Sequence, residues 1–274
     1  MMKRSSVLLL SIAAICIWAG NAHAAVLEVN EWSNTTRTGW EYNQLASGNP
    51  SIDNTTDTPA GGGALKSTHP AGTFSTSYGG GRGAYVALPA GLTELYVGHW
   101  VKWSSNWVWH PVGTKIDYLF MRDGVDAAGH RDNYLIMVQN NGNTLTFTQQ
   151  LWNAPGTQNR YNNRANVSIQ NNRWYWLETH LRLNTVGQAN GFLEIWLDDV
   201  LVSQHSDVTY RTTNTTIGTS SHSPEYGGGP FTLSATQYVW FDHTVLSTTR
   251  IGRPTSSSPG DTTAPRSPVL NFAN

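Results

Sequence analysis

The stretch Trp174-Tyr-Trp-Leu-Glu-Thr-His-Leu-Arg-Leu183 alternates with a period of two. Tyr175, Leu177, Leu181 and Leu183 fall on one face, and Trp176, Glu178, His180 and Arg182 on the other. Only an extended strand separates residues in this way. A polar loop then ends in Asn190-Gly191, and Phe192-Leu-Glu-Ile-Trp-Leu197 alternates again. Leu193, Ile195 and Leu197 take one side; Phe192, Glu194 and Trp196 take the other. Asp198-Asp199 stands where a tight hairpin turn belongs, before Val200-Leu-Val-Ser-Gln204. Two consecutive hairpins therefore share one aliphatic face and one face of aromatic and ionisable groups. The second face is either a working surface or a solvated back.

Further strands are expected on both sides of this block. Glu94 to Trp103 alternates, with Leu95, Val97, His99, Val101 and Trp103 on one face. Thr114 to Arg122, Asn133 to Gln139, Thr144 to Trp152 and Gln237 to Leu246 read the same way. Thr216 to Gly229 reads as a Gly/Ser loop, and Asn153 to Asn172 as a long polar one. Four glycines lie between Gly79 and Gly83, but without the strand-then-helix context of a phosphate loop. Strands recur about every ten residues, with no helical period beyond two turns and no internal repeat. That pattern predicts an all-β fold, a sandwich or jelly roll.

The ends of the chain read differently. Lys3 and Arg4, the apolar run Val7 to Trp18 and the Ala22-His23-Ala24 site form a signal peptide over residues 1–24. The run is too short for a membrane anchor, so a secreted product, extracellular or periplasmic, is expected. Cys16 falls within that peptide, which leaves a mature chain held by its core rather than by disulfides. Residues 25–253 make one β-sandwich domain, expected to be a monomer, and 254–274 a disordered tail rich in Ser, Thr and Pro. The chain has 17 Lys plus Arg against 18 Asp plus Glu, which argues against nucleic acid as a partner. Only 13% of residues are charged while Trp, Tyr, Gly, Asn and Thr abound, a surface chemistry suited to sugars.

Candidate chemistry follows from the residue types. Glu194 and Asp198 lie four residues apart, about 13 Å along a strand at about 3.3 Å per residue. Glycosidases need about 5 Å or about 6.5–9.5 Å between carboxyls, so this pair cannot act alone, although Glu178 on the neighbouring strand has a route to Glu194. Cleavage of a uronate polysaccharide by elimination needs a cation or amide on the carboxylate and a base such as Tyr or His. Lys115, one of three lysines after the signal peptide, or Arg131 would supply the cation. Tyr161, His110 or His180 would supply the base, and Gln150, Arg160 and Tyr226 belong to the same set. Trp152, Trp176 and Trp196 offer rings for sugar stacking. No H-E-x-x-H or cysteine ligand set occurs. The spacing of Asp123, Asp126 and Asp132 does not match an EF-hand, and Asp242 with Glu31 is the expected pair for a structural Ca²⁺.

Three stretches carry a family resemblance: Tyr96-Val-Gly-His-Trp-Val-Lys-Trp-Ser104, Trp174 to Val202, and Trp240-Phe-Asp-His-Thr-Val-Leu-Ser-Thr-Thr-Arg-Ile-Gly252. They resemble secreted concanavalin A-like jelly rolls of the heparin lyase, glucuronan lyase and alginate lyase type, over about residues 26 to 252. The resemblance implies two antiparallel sheets and a polysaccharide lyase-like enzyme acting on a uronate polysaccharide by β-elimination. A non-catalytic glycan-binding or cell-surface module of the same fold and a glycoside hydrolase remain the alternatives. The Glu-x-Asp-x-x-Glu signature of hydrolases with this fold is absent, and no catalytic residue carries over position by position.

Overall fold

The computed structural model describes residues 26–33, 40–42, 49–73, 83–111, 113–125, 131–141, 144–152, 158–160, 166–227, 231–255 and 270–271. In chain order the strands are β1 (Val26–Asn30), β2 (Trp40–Tyr42), β3 (Ser51–Asp53), β4 (Ala64–His69), β5 (Ala84–Ala87) and β6 (Glu94–Trp103). Then come β7 (Thr114–Val125), β8 (Arg131–Asn141), β9 (Thr144–Trp152), β10 (Gln158–Arg160), β11 (Asn166–Val167) and β12 (Trp174–Arg182). The last are β13 (Gly191–Leu197), β14 (Val200–Val208), β15 (Ile217–Glu225), β16 (Gln237–Ser247) and β17 (Leu270–Asn271).

These strands form two antiparallel sheets in a jelly-roll sandwich. The back sheet runs β14-β13-β12-β6-β16-β4-β3, with β1 added on β16. The front sheet runs β17-β11-β9-β8-β7-β15-β5-β2, with β10 added on β9. The core between them is the aliphatic side of the alternation. Leu177, Leu181, Leu193, Ile195 and Leu197 of the back sheet meet Val86, Ile116, Leu119, Met121 and Ile217 of the front sheet in one buried cluster. The β13–β14 turn is set by Asp198 and Asp199, with φ of 49° and 64°. A two-residue hairpin turn of this hand requires both central residues in that region, and Asp tolerates it.

Two stretches read as loops contain strands. The segment read as a Gly/Ser loop from Thr216 contains β15, which lies between β5 and β7. Its small serines pair with β5 on one side and with the long strand β7 on the other, so lateral hydrogen bonding rather than hydrophobic alternation makes it a strand. The stretch read as a long polar loop from Asn153 contains β10 and β11, and β11 pairs antiparallel with Leu270 and Asn271.

One irregularity positions the site. Along β7, Lys115 pairs with Met137 and Asp117 with Ile136, so Ile116 is an extra residue. Such a bulge breaks the two-residue alternation. Ile116 and Asp117 are both buried, while Lys115 and Tyr118 stand opposite Glu225 and Ser221 of β15.

Candidate active site

On the outward side of the front sheet, Lys115 Nζ donates to Glu225 Oε2 at 2.7 Å. Tyr118 Oη donates to Glu225 Oε1 at 2.8 Å. The ammonium also lies 5.9 Å from the centre of the Tyr118 ring, which stacks on Phe120 at 5.6 Å. Lys115 is 22% and Glu225 13% exposed, so the pair meets solvent while its geometry is held. An ammonium carries three N–H donors, and the bond to Glu225 uses one of them.

Backbone register extends this cluster across the sheet. Lys115 stands opposite Met137, which stands opposite Thr148. Tyr118 stands opposite Leu135, which stands opposite Gln150. Phe120, Asn133 and Trp152 form the next row. By backbone register, Gln150 and Trp152 fall in rows with Tyr118 and Phe120. Arg160 pairs with Gln149, and Arg131 with Val125 at the far end of β7. Tyr161 lies outside the described residues. His110 and Tyr226 meet edge to face at 4.8 Å next to Glu225 in the chain, and both are buried. Burial pushes the His110 pKa down and the Tyr226 pKa up.

His180, Trp176 and Trp196 are elsewhere. They lie on the outward side of the back sheet, with the whole sandwich between them and Lys115. His180 Nε2 is 2.7 Å from Glu94 Oε1 and its Nδ1 is 3.2 Å from Glu194 Oε2, with Tyr96 stacked on the ring at 4.0 Å. Trp176 is fully buried, packed with Trp100 and Ile251, and a Cβ at Gly98 would run into its ring. The Arg250 guanidinium covers Trp196 at 4.6 Å. Glu178 does not reach Glu194. It stands opposite Trp196 and accepts the backbone N–H groups of Ile251 and Gly252 at 2.8 and 2.9 Å. Asp198 is likewise committed, to Arg173 and to the N–H of Trp176.

The two expected calcium ligands also lie on the back sheet. Glu31 accepts from His243 Nδ1 at 2.8 and 2.9 Å. Asp242 Oδ2 accepts the N–H of Ala60 at 3.1 Å. Burial, with Glu31 nearby, pushes the Asp242 pKa up to about 7. Glu31 and His243 line a pocket with Pro59, Ala60, Trp100, Pro254 and Thr255. The ion pair with His243 occupies the Glu31 carboxylate that a cation would need.

Comparison with known proteins bears on this arrangement. Residues 124–243 match the family model described as polysaccharide lyase 14. No curated protein matches the chain. A marine PL-14 alginate lyase from Aplysia kurodai superposes with a TM-score of 0.57, at 16% identity over 73% of this chain and 87% of that one. An endo-β-1,4-glucuronan lyase from the fungus Trichoderma reesei gives 0.55, at 18% identity over 82% and 91%. An alginate lyase from Chlorella virus gives 0.56, at 14% identity over 73% and 90%. The fold is that of the concanavalin A-like polysaccharide lyases. Within this lyase fold, the matched segment includes β8, β9 and Glu225 and begins after Lys115. Glu225 and Tyr118 were missed in the sequence, because the bulge and the serine-rich strand both hide their alternation.

Proposed function

We propose that the protein is a secreted polysaccharide lyase that cleaves a uronate-containing polysaccharide by β-elimination on the outward face of the front sheet. The observation that carries this reading is the Lys115–Glu225–Tyr118 cluster, in which a cation and a phenol are both hydrogen-bonded to one carboxylate. The polysaccharide lyase 14 match and the lyase fold support it.

The chemistry assigns roles. The C5 proton of a uronate becomes acidic only when the neighbouring carboxylate is neutralised. Lys115 directs its remaining N–H groups at that carboxylate. Tyr118 passes its phenolic proton to Glu225, and the phenolate takes the proton from C5. The C5–H electrons form the C4=C5 double bond, the C4–O bond breaks, and its oxygen takes the proton held by Glu225. Tyr118 takes the place that the sequence offered to Tyr161, His110 or His180. Of these, His180 is on the opposite face and His110 is enclosed under Tyr226. Gln150 and Trp152 belong to the rows where neighbouring sugars would lie.

The test is incubation with alginate, glucuronan, heparinoids and pectin, following the near-ultraviolet absorbance of the unsaturated product. Absorbance with at least one substrate, lost in Lys115→Ala, is the expected result. Retained binding without absorbance on any of them would replace the enzyme with a glycan-binding module, and reducing ends without absorbance would indicate a hydrolase. Secretion is tested by the N-terminus of the exported protein, expected at Ala25.

A further inference from the structure

The outward faces do not contain the most unusual cluster of ionisable groups. His99 of β6 reaches from the back sheet toward Asp117 of β7 and His222 of β15, neighbouring strands of the front sheet. All three are buried, at 1%, 5% and 1% exposure, in the layer between the sheets. One ligand atom from each lies within 4.8 Å of the others. We propose that His99, Asp117 and His222 bind one divalent transition metal of the zinc class, as a clip between the two sheets directly behind Lys115.

Four observations carry this. First, the donor set of two imidazoles and one carboxylate is that of zinc rather than calcium, which takes oxygen alone. Second, neither ring nitrogen of His99 makes a hydrogen bond among the described residues, and neither does Asp117 Oδ2. Buried polar atoms are normally satisfied, and each exception calls for a partner. Third, His99 Nε2 lies 3.5 Å from Asp117 Oδ2. That is close to the edge of a tetrahedron with metal bonds of about 2.0–2.1 Å, which is about 3.3 Å.

The fourth observation is the surroundings of His222. Its ring is stacked between Trp40 at 5.7 Å and Phe241 at 4.6 Å, which fixes its plane. Nδ1 is 2.6 Å from Asp117 Oδ1, and Nε2 is 2.8 Å from Thr244 Oγ1, which also accepts the indole N–H of Trp32 at 3.0 Å. In the neutral tautomer with its proton on Nδ1, facing the carboxylate, Nε2 accepts from Thr244. A metal at Nδ1 displaces that proton, and the ring then carries N–H at Nε2. Thr244 Oγ1 has two lone pairs, so it accepts both His222 and Trp32. Metal-bound histidines are held by just such a bond from the other nitrogen.

The experiment unfolds the protein in chelator and refolds it with Zn²⁺, with Co²⁺ or with no metal. After dialysis, metal is counted by mass spectrometry and thermal unfolding is recorded. About one equivalent of Zn²⁺, a higher unfolding midpoint than the metal-free sample, and the visible absorption of tetrahedral Co²⁺ are expected. Asp117→Asn and His222→Gln should lower the content below about a tenth of an equivalent. Should either variant fail to fold, the Co²⁺ spectrum of the unaltered protein decides. Wild-type protein that refolds to the same midpoint without metal, and retains under about a tenth of an equivalent, overturns the proposal. A folded Asp117→Asn variant that keeps the full equivalent also overturns it. Neither readout involves lyase activity, so failure here is distinct from failure of the proposed reaction.

Discussion

On the outward side of the back sheet, Trp176, Glu178 and His180 are 0%, 0% and 4% exposed. On the outward side of the front sheet, Lys115 and Glu225 keep 22% and 13%. Both faces carry aromatic rings and carboxylates. The back face, however, has gained a second layer. Arg250, Ile251, Gly252 and Arg253 lie across it, fixed by Glu178 and Asp199 and laid over Trp100, Trp176 and Trp196. Its polar groups are matched to one another, as His180 is to Glu94 and Glu194. A rich face can thus be structural. What marks the front face is a cation held at the edge of solvent with N–H groups to offer.

The comparison can be broken first through stability. Trp176→Ala should cost about 3–5 kcal/mol in chemical denaturation, while activity per folded molecule stays unchanged; a fall in that specific activity would put the back face into the chemistry. Next, Lys115→Ala should lower kcat/KM about 10²–10³-fold with an unfolding midpoint close to that of the parent. An equal loss of activity and stability would make Lys115 a fold residue. A smaller effect is expected from Glu178→Gln. It leaves one of two buried backbone N–H groups facing an amide NH₂, at about 1–3 kcal/mol, and should loosen residues 250–253, read as faster proteolysis there.

The smallest effect concerns pH. The hydrogen bond with Glu31 holds the His243 pKa above its ordinary 6.5, against the effect of burial. The stabilisation is full below about 6.5 and is lost as pH rises through the raised folded value. Glu31→Gln should therefore destabilise at about pH 5, by under about 1 kcal/mol for so exposed a pair, and have no effect at about pH 9. Equal effects in thermal melts at both pH values would break that link.

Much of the sandwich was legible because period-two alternation is a direct consequence of strand geometry. Leu177, Leu181, Leu193 and Ile195 are core, and Asp198-Asp199 makes the turn. His99 was also visible as a lone histidine on an aliphatic face. The covering of Trp176 was not legible, because it depends on Ile251, far along the chain, meeting Glu178. The register was not legible either: Glu178 stands opposite Trp196 and His180 opposite Glu194. Lys115 drew notice through the scarcity of lysine. Its partners did not, since strict alternation over β7 puts Lys115 and Tyr118 on opposite faces, and β15 carries too few apolar residues to read as a strand.

The extra residue in β7 gives the protein an unusual kind of fragility. Lys115 and Tyr118 share a face only because Ile116 breaks the count. Loss of the Ile116 codon would leave Lys115 and Tyr118 two apart and on one face of a regular strand. The layer between the sheets would lose a buried side chain, and β7 would be one residue shorter opposite the stretch of β15 that leads to Glu225. The spacing of β7 thus ties the outward cluster to the layer between the sheets, because the residue that sets the count is itself part of the buried core.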